Sequence, residues 1–189
     1  MGSLGVDRAG RATRAPRDSL ALPAVSTTDE LLANNAAYAA AYTHGALPAP
    51  PAKPVAVLTC MDARIDPHRM LGLAEGDAHV IRNAGGVAND DALRSLVVSQ
   101  RKLGTREVLV ILHTDCGMRT FVEDAFAEQL EAETGARPAW QTTSFHADID
   151  ADVRRAVARV RSSPFLPHRD AVRGFVYEVE TGRLREVVS

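Results

Sequence analysis

Three short runs with almost no polar alternation constrain this chain more than any other feature: Val55-Ala56-Val57-Leu58, His79-Val80-Ile81 and Val108-Leu109-Val110-Ile111-Leu112. A strand without a polar face has both sides covered, as in a parallel sheet flanked by helices. Helical spacing follows the strands. Leu93, Leu96, Val97 and Leu103 form one stripe, Phe121, Val122, Ala125, Phe126, Gln129 and Leu130 a second, and Val153, Ala156, Val157 and Val160 a third. Residues 172–179 and 184–188 read as two strands around a tight turn at Thr181-Gly182. The expected fold is a single α/β domain with a mostly parallel central β-sheet flanked by helices, an N-terminal helical arm and a C-terminal strand pair.

Ahead of the first run, Thr27 and Glu30 have capping-box spacing and predict a helix over 31–42 that ends near Gly45. The prolines at 48, 50, 51 and 54 then impose an extended connector. Residues 1–25 mix Gly, Ala, Ser, Pro and Arg without apolar periodicity and are expected to be a disordered arm, leaving 26–189 as the folded domain.

Composition excludes several classes of function. A formal net charge of −2 over 189 residues gives no basic footprint for nucleic acid. No apolar stretch approaches the roughly 18 to 20 residues that span a bilayer. The expected location is cytoplasmic, with no membrane partner. Two cysteines, Cys60 and Cys116, are too few for a disulfide framework and suit metal or thiol chemistry in a reducing compartment.

In an open parallel sheet, ligands bind beyond the carboxyl ends of the strands. Thr59-Cys60-Met61-Asp62-Ala63-Arg64 follows the first run and His113-Thr114-Asp115-Cys116-Gly117 the third, so both cysteines and one of six histidines fall at such ends. Singly, these read as buried thiols and a core histidine. Together, Cys60, His113 and Cys116 supply the three protein ligands of a catalytic zinc site with one position left open. Sulfur and imidazole favour zinc over magnesium, calcium or manganese.

Asp62 and Arg64, two apart in an extended loop, can point to one side. Elsewhere such a pair is a surface ion pair. Beside Cys60, Asp62 is expected either to orient a metal-bound water, with Arg64 keeping it ionised, or to swing onto zinc as a fourth ligand that closes the site. Arg82-Asn83-Ala84-Gly85-Gly86 follows the second run, where glycines either admit a ligand close to the backbone or simply turn the chain. Asp66, Asp115, His68, His79, His146 and His168 are assigned structural or surface roles. A C-x5-R phosphatase loop from Cys60 would require arginine where Asp66 stands, and no GxxxxGK[ST] loop is present. The absence of C-x-x-C argues against thiol redox chemistry, and a structural zinc would call for a fourth Cys or His.

C-M-D-A-R at 60–64, R-N-A-G-G at 82–86 and H-T-D-C-G at 113–117, in that order, resemble the β-class carbonic anhydrase family. The resemblance runs from about Val55 to the C-terminus and takes in the helix at 31–42. It implies Zn2+ on Cys60, His113 and Cys116, and reversible hydration of CO2 to bicarbonate and a proton by a zinc-bound hydroxide. It also implies Asp62 and Arg64 as the catalytic pair, with the backbone of Ala84, Gly85, Gly86 and Gly117 near the substrate oxygens. A homodimer or homotetramer is implied, its N-terminal helix packed across the partner. Alternatives are a related zinc hydrolase acting on CS2 or COS, and a non-catalytic zinc-binding protein. One departure stands out: many members carry a substrate-binding glutamine upstream of the first cysteine, and no Gln precedes Cys60 here.

Overall fold

Parallel strands cannot be joined by tight turns, so each connection must cross a face of the sheet. In the computed structural model, which describes residues 26–140 and 145–189, helices make most of these crossings. The expected disordered arm at 1–25 lies outside the described residues. The elements are α1 (Thr27–Ala40), β1 (Val55–Cys60), α2 (Pro67–Leu71), β2 (His79–Asn83), α3 (Asp90–Leu103) and β3 (Glu107–His113). They continue with α4 (Glu123–Thr134), α5 (Ile149–Arg161), β4 (Val172–Glu178) and β5 (Arg183–Val188). Single 3-10 turns at Ala84–Gly86 and Gly117–Arg119 follow β2 and β3.

The sheet order is β2-β1-β3-β4-β5, parallel except for the antiparallel β4–β5 pair. This is the α/β architecture expected from the three apolar runs, with the C-terminal strand pair in place. From β1 the chain moves outward to β2, and it then crosses back to place β3 on the other side of β1. The order therefore reverses between β1 and β3. At such a switch point the outgoing loops diverge and leave a crevice at the carboxyl ends.

The chain separates into two compact units, one ending at Ala46 and the other Leu47–Ser189. In the first, α1 is capped by Ser26: its Oγ accepts from the Asp29 amide at 3.1 Å, and the Asp29 carboxylate accepts from the Ser26 amide at 3.3 Å. The capping box thus sits one residue before the expected Thr27 and Glu30. Serine and aspartate at the same spacing satisfy the same orphan amides. No residue of α1 is buried, and Leu31, Leu32 and Tyr38 are exposed.

In the second unit, Ala56, Leu58, Val108, Val110, Val172 and Val176 point to one sheet face and pack with Ala92 and Leu96 of α3 and Val153, Val157 and Val160 of α5. Val57, Ile111 and Phe175 point to the other, against Met70 and Leu71 of α2. Strand alternation explains this division, because neighbouring side chains leave opposite faces. The stripe expected after the third run fares differently. Phe121, Val122 and Phe126 are exposed, and α4 buries only Ala127. Helical spacing located that helix without identifying its inward face.

Where α5 meets β4, the backbones approach through Gly174. A Cβ there would stand 2.5 Å from Val153 Cγ1 and 2.8 Å from Val157 Cγ2. Gly174→Ala is predicted to destabilise the protein by about 1–3 kcal/mol through overpacking. Urea unfolding measures this directly, and parent-like stability would contradict the close approach.

Candidate metal centre

Cys60 and His113 are the last residues of β1 and β3, and Cys116 follows one turn after β3. Parallel pairing keeps these ends on one edge of the sheet. The Thr59 hydroxyl ties them closer by donating to the Ile111 carbonyl at 2.9 Å. The two sulfurs lie 3.9 Å apart, and both come within 4.8 Å of a ligand nitrogen of His113. All three side chains are buried.

Imidazole orientation is set locally. His113 Nδ1–H donates to the Thr114 carbonyl at 2.9 Å, which leaves Nε2 as the atom with a free lone pair. Nε2 is buried and has no hydrogen-bond partner. A neutral acceptor left bare beside two thiols is costly unless a cation takes its lone pair. The sulfur spacing fits the same ion: two bonds of about 2.3 Å at a tetrahedral angle put sulfurs about 3.8 Å apart. The donor set therefore fits zinc, with Cys60, His113 and Cys116 as its holders.

Electrostatics agree with that assignment. The Cys60 thiol is held well below its ordinary range, chiefly by its hydrogen bond with Cys116, with help from His113 and the backbone amides of Asp62 and Gly85 against the opposing effect of burial. The Cys116 thiol is pushed up by that same neighbour and by burial. The opposed shifts arise because each sulfur favours the other's proton, and a divalent ion favours loss of protons from both.

Around the donors, the loops are held by arginines. Arg64 grips Asp62 through Nε to Oδ1 at 3.0 Å and Nη2 to Oδ2 at 2.8 Å, and its own amide donates to Oδ1 at 2.9 Å. These contacts hold the Asp62 carboxyl well below its ordinary value of 3.8. Asp62 Oδ2 faces the donor cluster, 3.9 Å from His113 Nε2. Arg64 also reaches the β3 loop, with Nη1 on Asp115 Oδ2 at 2.6 Å and Nη2 on the Asp115 carbonyl at 2.7 Å. Asp115, assigned a structural or surface role from the sequence, is thus the residue through which Arg64 meets the β3 loop. Its side chain is indeed exposed, but it is turned onto Arg64.

Arg82 is a second residue whose part the sequence did not disclose. From the end of β2 it donates Nε to the Cys60 carbonyl at 2.9 Å and Nη2 to the Asp62 carbonyl at 2.7 Å, clamping the loop between them. An arginine aligned in register with a ligand strand was the available signal. Asn83 brackets the following turn through both amide atoms on Val87, each at 2.8 Å. Within that turn Gly86 has φ +67°, and a Cβ there would come 3.0 Å from the Cys60 nitrogen. Only glycine permits this approach. Gly85, at φ +83°, is covered by the Phe145 ring, which would clash with any side chain. Gly85 and Gly86 are thus beside Cys60, with Ala84 opening the same turn, while Gly117 sits next to Cys116 with open space over its Cα. Of the other residues assigned structural or surface roles, Asp66 caps α2 by accepting from the His68 amide at 3.1 Å, His79 Nδ1 meets Ser99 at 2.7 Å, His146 Nδ1 meets Asp152 at 3.1 Å and the His168 amide donates to Gln100 Oε1 at 3.0 Å.

An α/β sheet with a two-sulfur, one-nitrogen donor set at its switch point defines a small class of metal proteins. The family model for carbonic anhydrase matches residues 55–184. The chain is 51% identical over 163 residues to beta-carbonic anhydrase 1 of Mycobacterium tuberculosis strain H37Rv, covering 86% of this chain and 99% of that protein. It is 36% identical over 154 residues to a carbon disulfide hydrolase of Acidianus, covering 69% and 75% respectively. Among solved structures, the carbonic anhydrase of Streptococcus mutans superposes with a TM-score of 0.79 at 42% identity, covering 86% of this chain and 98% of that one. The chain belongs to the β-carbonic anhydrase family.

Cys60→Ser, His113→Ala and Cys116→Ser are each predicted to lower bound zinc from about one per chain toward none, because three protein donors leave no redundancy. Metal analysis after dialysis against a mild chelator checks this. Full zinc loading in any one variant would remove that residue from the donor set.

Proposed function

We propose that this protein is a zinc enzyme catalysing the reversible hydration of CO2 to bicarbonate and a proton. The observation that carries the reading is the convergence of Cys60, His113 and Cys116 with an Arg64-held Asp62 carboxylate facing them. Zinc in such a site lowers the pKa of a water from about 15.7 toward about 7, so that hydroxide is available near neutral pH. Everything else falls to the chain itself. Asp62, kept ionised by Arg64, can only accept hydrogen bonds, so its Oδ2 fixes which way a water or hydroxide O–H points. The lone pair that attacks carbon is thereby aimed away from Asp62. The backbone of the Ala84-Gly85-Gly86 turn and the amide of Gly117 are assigned to the substrate oxygens, in the manner of an oxyanion site, with the Gly85 amide itself already directed to the Cys60 sulfur.

Arg64 supplies the restraint that keeps Asp62 off the metal, and closure by Asp62 as a fourth ligand requires that restraint to shift. Leu31, Leu32 and Tyr38, exposed on α1, support a homodimer in which a second copy covers them. Two unpaired cysteines support a reducing, cytoplasmic setting, and no described helix is long and apolar enough to cross a membrane. Hydrolysis of CS2 by the same donors is the second reading, favoured by the 36% identity to the Acidianus enzyme. The higher identity and fuller coverage of the mycobacterial relative favour CO2.

Stopped-flow CO2 hydration by zinc-loaded and chelator-stripped protein tests the proposal, with CS2 consumption measured in parallel. Zinc-dependent hydration is expected. Asp62→Asn is predicted to keep its zinc and lose about 100-fold in kcat/KM. Because the Asp62 pKa lies below its ordinary value of 3.8, the carboxylate is charged throughout the range from pH 6 to pH 9 and the loss stays constant across it. Zinc-loaded protein that consumes CS2 and leaves CO2 untouched would overturn the proposal.

A further inference from the structure

The Asp62–Arg64 pair is local, formed by residues two apart on one loop, so it carries no information about where that loop stands relative to β3. Cys60 and Asp62 belong to the loop after β1, whereas His113 and Cys116 belong to β3 and the turn after it. Arg64 connects the two loops through Asp115, which offers it both a carboxylate oxygen and a carbonyl. Asp115 stands between two of the three metal donors and has φ +53°, the only non-glycine residue with positive φ among the described residues. Its exposed carboxylate adds nothing to the core. Backbone held in a sparsely occupied region beside a functional site is retained where its geometry is used.

We propose that Asp115 is a positioning residue, which anchors Arg64 to the β3 loop and so holds the Asp62–Arg64 pair back from the open metal position. Three of the four side-chain contacts of Arg64 depend on where its guanidinium plane lies: Nη1 on Asp115 Oδ2, Nη2 on the Asp115 carbonyl, and Nη2 on Asp62 Oδ2. With the Asp115 carboxylate removed, Nη1 loses that fixed partner and the guanidinium can follow Asp62 as one body. Asp62 Oδ2, already 3.9 Å from His113 Nε2, then competes for the open position that a water would take.

The inference rests on the metal reading of Cys60, His113 and Cys116, and the test separates the two. Cobalt(II) replaces zinc in the full-length protein, and azide is titrated against the visible bands of the metal. Asp115→Gly keeps the left-handed backbone and the carbonyl while deleting the carboxylate. If Asp62 occupies the open position about four-fifths of the time in this variant, the azide midpoint rises about fivefold, and kcat for CO2 falls about fivefold with KM within about twofold. Asp115→Asn restores an acceptor for Nη1 and tolerates the same backbone, so its azide midpoint returns toward that of the parent. The double variant Asp115→Gly/Asp62→Asn also returns toward the parent, because the competing carboxylate is gone.

A parent-like azide midpoint in Asp115→Gly overturns the proposal. So does a loss of bound cobalt in that variant, which would make Asp115 a builder of the ligand turn instead. An Asp115→Asn midpoint raised as far as that of Asp115→Gly would also overturn it, by showing that charge rather than placement is at work. Parent protein without thiolate-to-cobalt charge-transfer bands would overturn the metal reading itself, and the proposal with it.

Discussion

Two buried sulfurs 3.9 Å apart and a buried imidazole nitrogen with no hydrogen-bond partner make a cluster whose charges and lone pairs a cation reconciles. Much of the neighbouring structure reads as support for that cluster. β1 and β3 bring the donors to one edge, and the reversal of strand order between them opens the crevice in which they meet. Gly86 lets the turn after β2 approach the Cys60 backbone, and Arg82 ties that same backbone to β2. The helices α3 and α5 hold the sheet from one face through an apolar layer in which Gly174 leaves no room for a side chain beside α5. A metal held by donors on separate strands is only as well placed as the sheet beneath it.

The features legible in the sequence are those with a short physical code. Apolar runs without alternation announce strands covered on both faces, and the strand-end rule then turns the positions of Cys60, His113 and Cys116 into a site before any geometry is known. Asp62 and Arg64 were readable because both lie within a few residues of a donor and two residues apart. The conformational freedom of Gly85 and Gly86 was readable as well, although the identity of what presses on them, Cys60 and Phe145, was not.

What stayed hidden depends on side-chain reach across elements distant in sequence. Arg64 and Asp115 are separated by the whole of α2, β2, α3 and β3, and the parallel β1–β3 pairing makes them neighbours. In the sequence Arg82 reads as part of a turn, yet its guanidinium serves the loop on the adjacent strand. The capping box slipped by one residue because Ser26, Thr27 and Thr28 are all competent caps, and local spacing alone cannot rank them. For α4, a stripe of Phe121, Val122 and Phe126 satisfied helical spacing, but these side chains are exposed and Ala127 faces inward. Periodicity reports that a helix has an apolar side, not what covers it.

The central claim is that three donors from two strand ends hold one metal and leave a position open. Zinc K-edge absorption of the loaded protein at neutral pH measures this most directly. The account predicts two sulfur neighbours at about 2.3 Å and one imidazole nitrogen at about 2.0–2.1 Å, with a fourth light atom from solvent completing the shell. A shell with fewer than two sulfurs, or one closed by a fourth protein donor in the presence of intact Arg64 and Asp115, would contradict it.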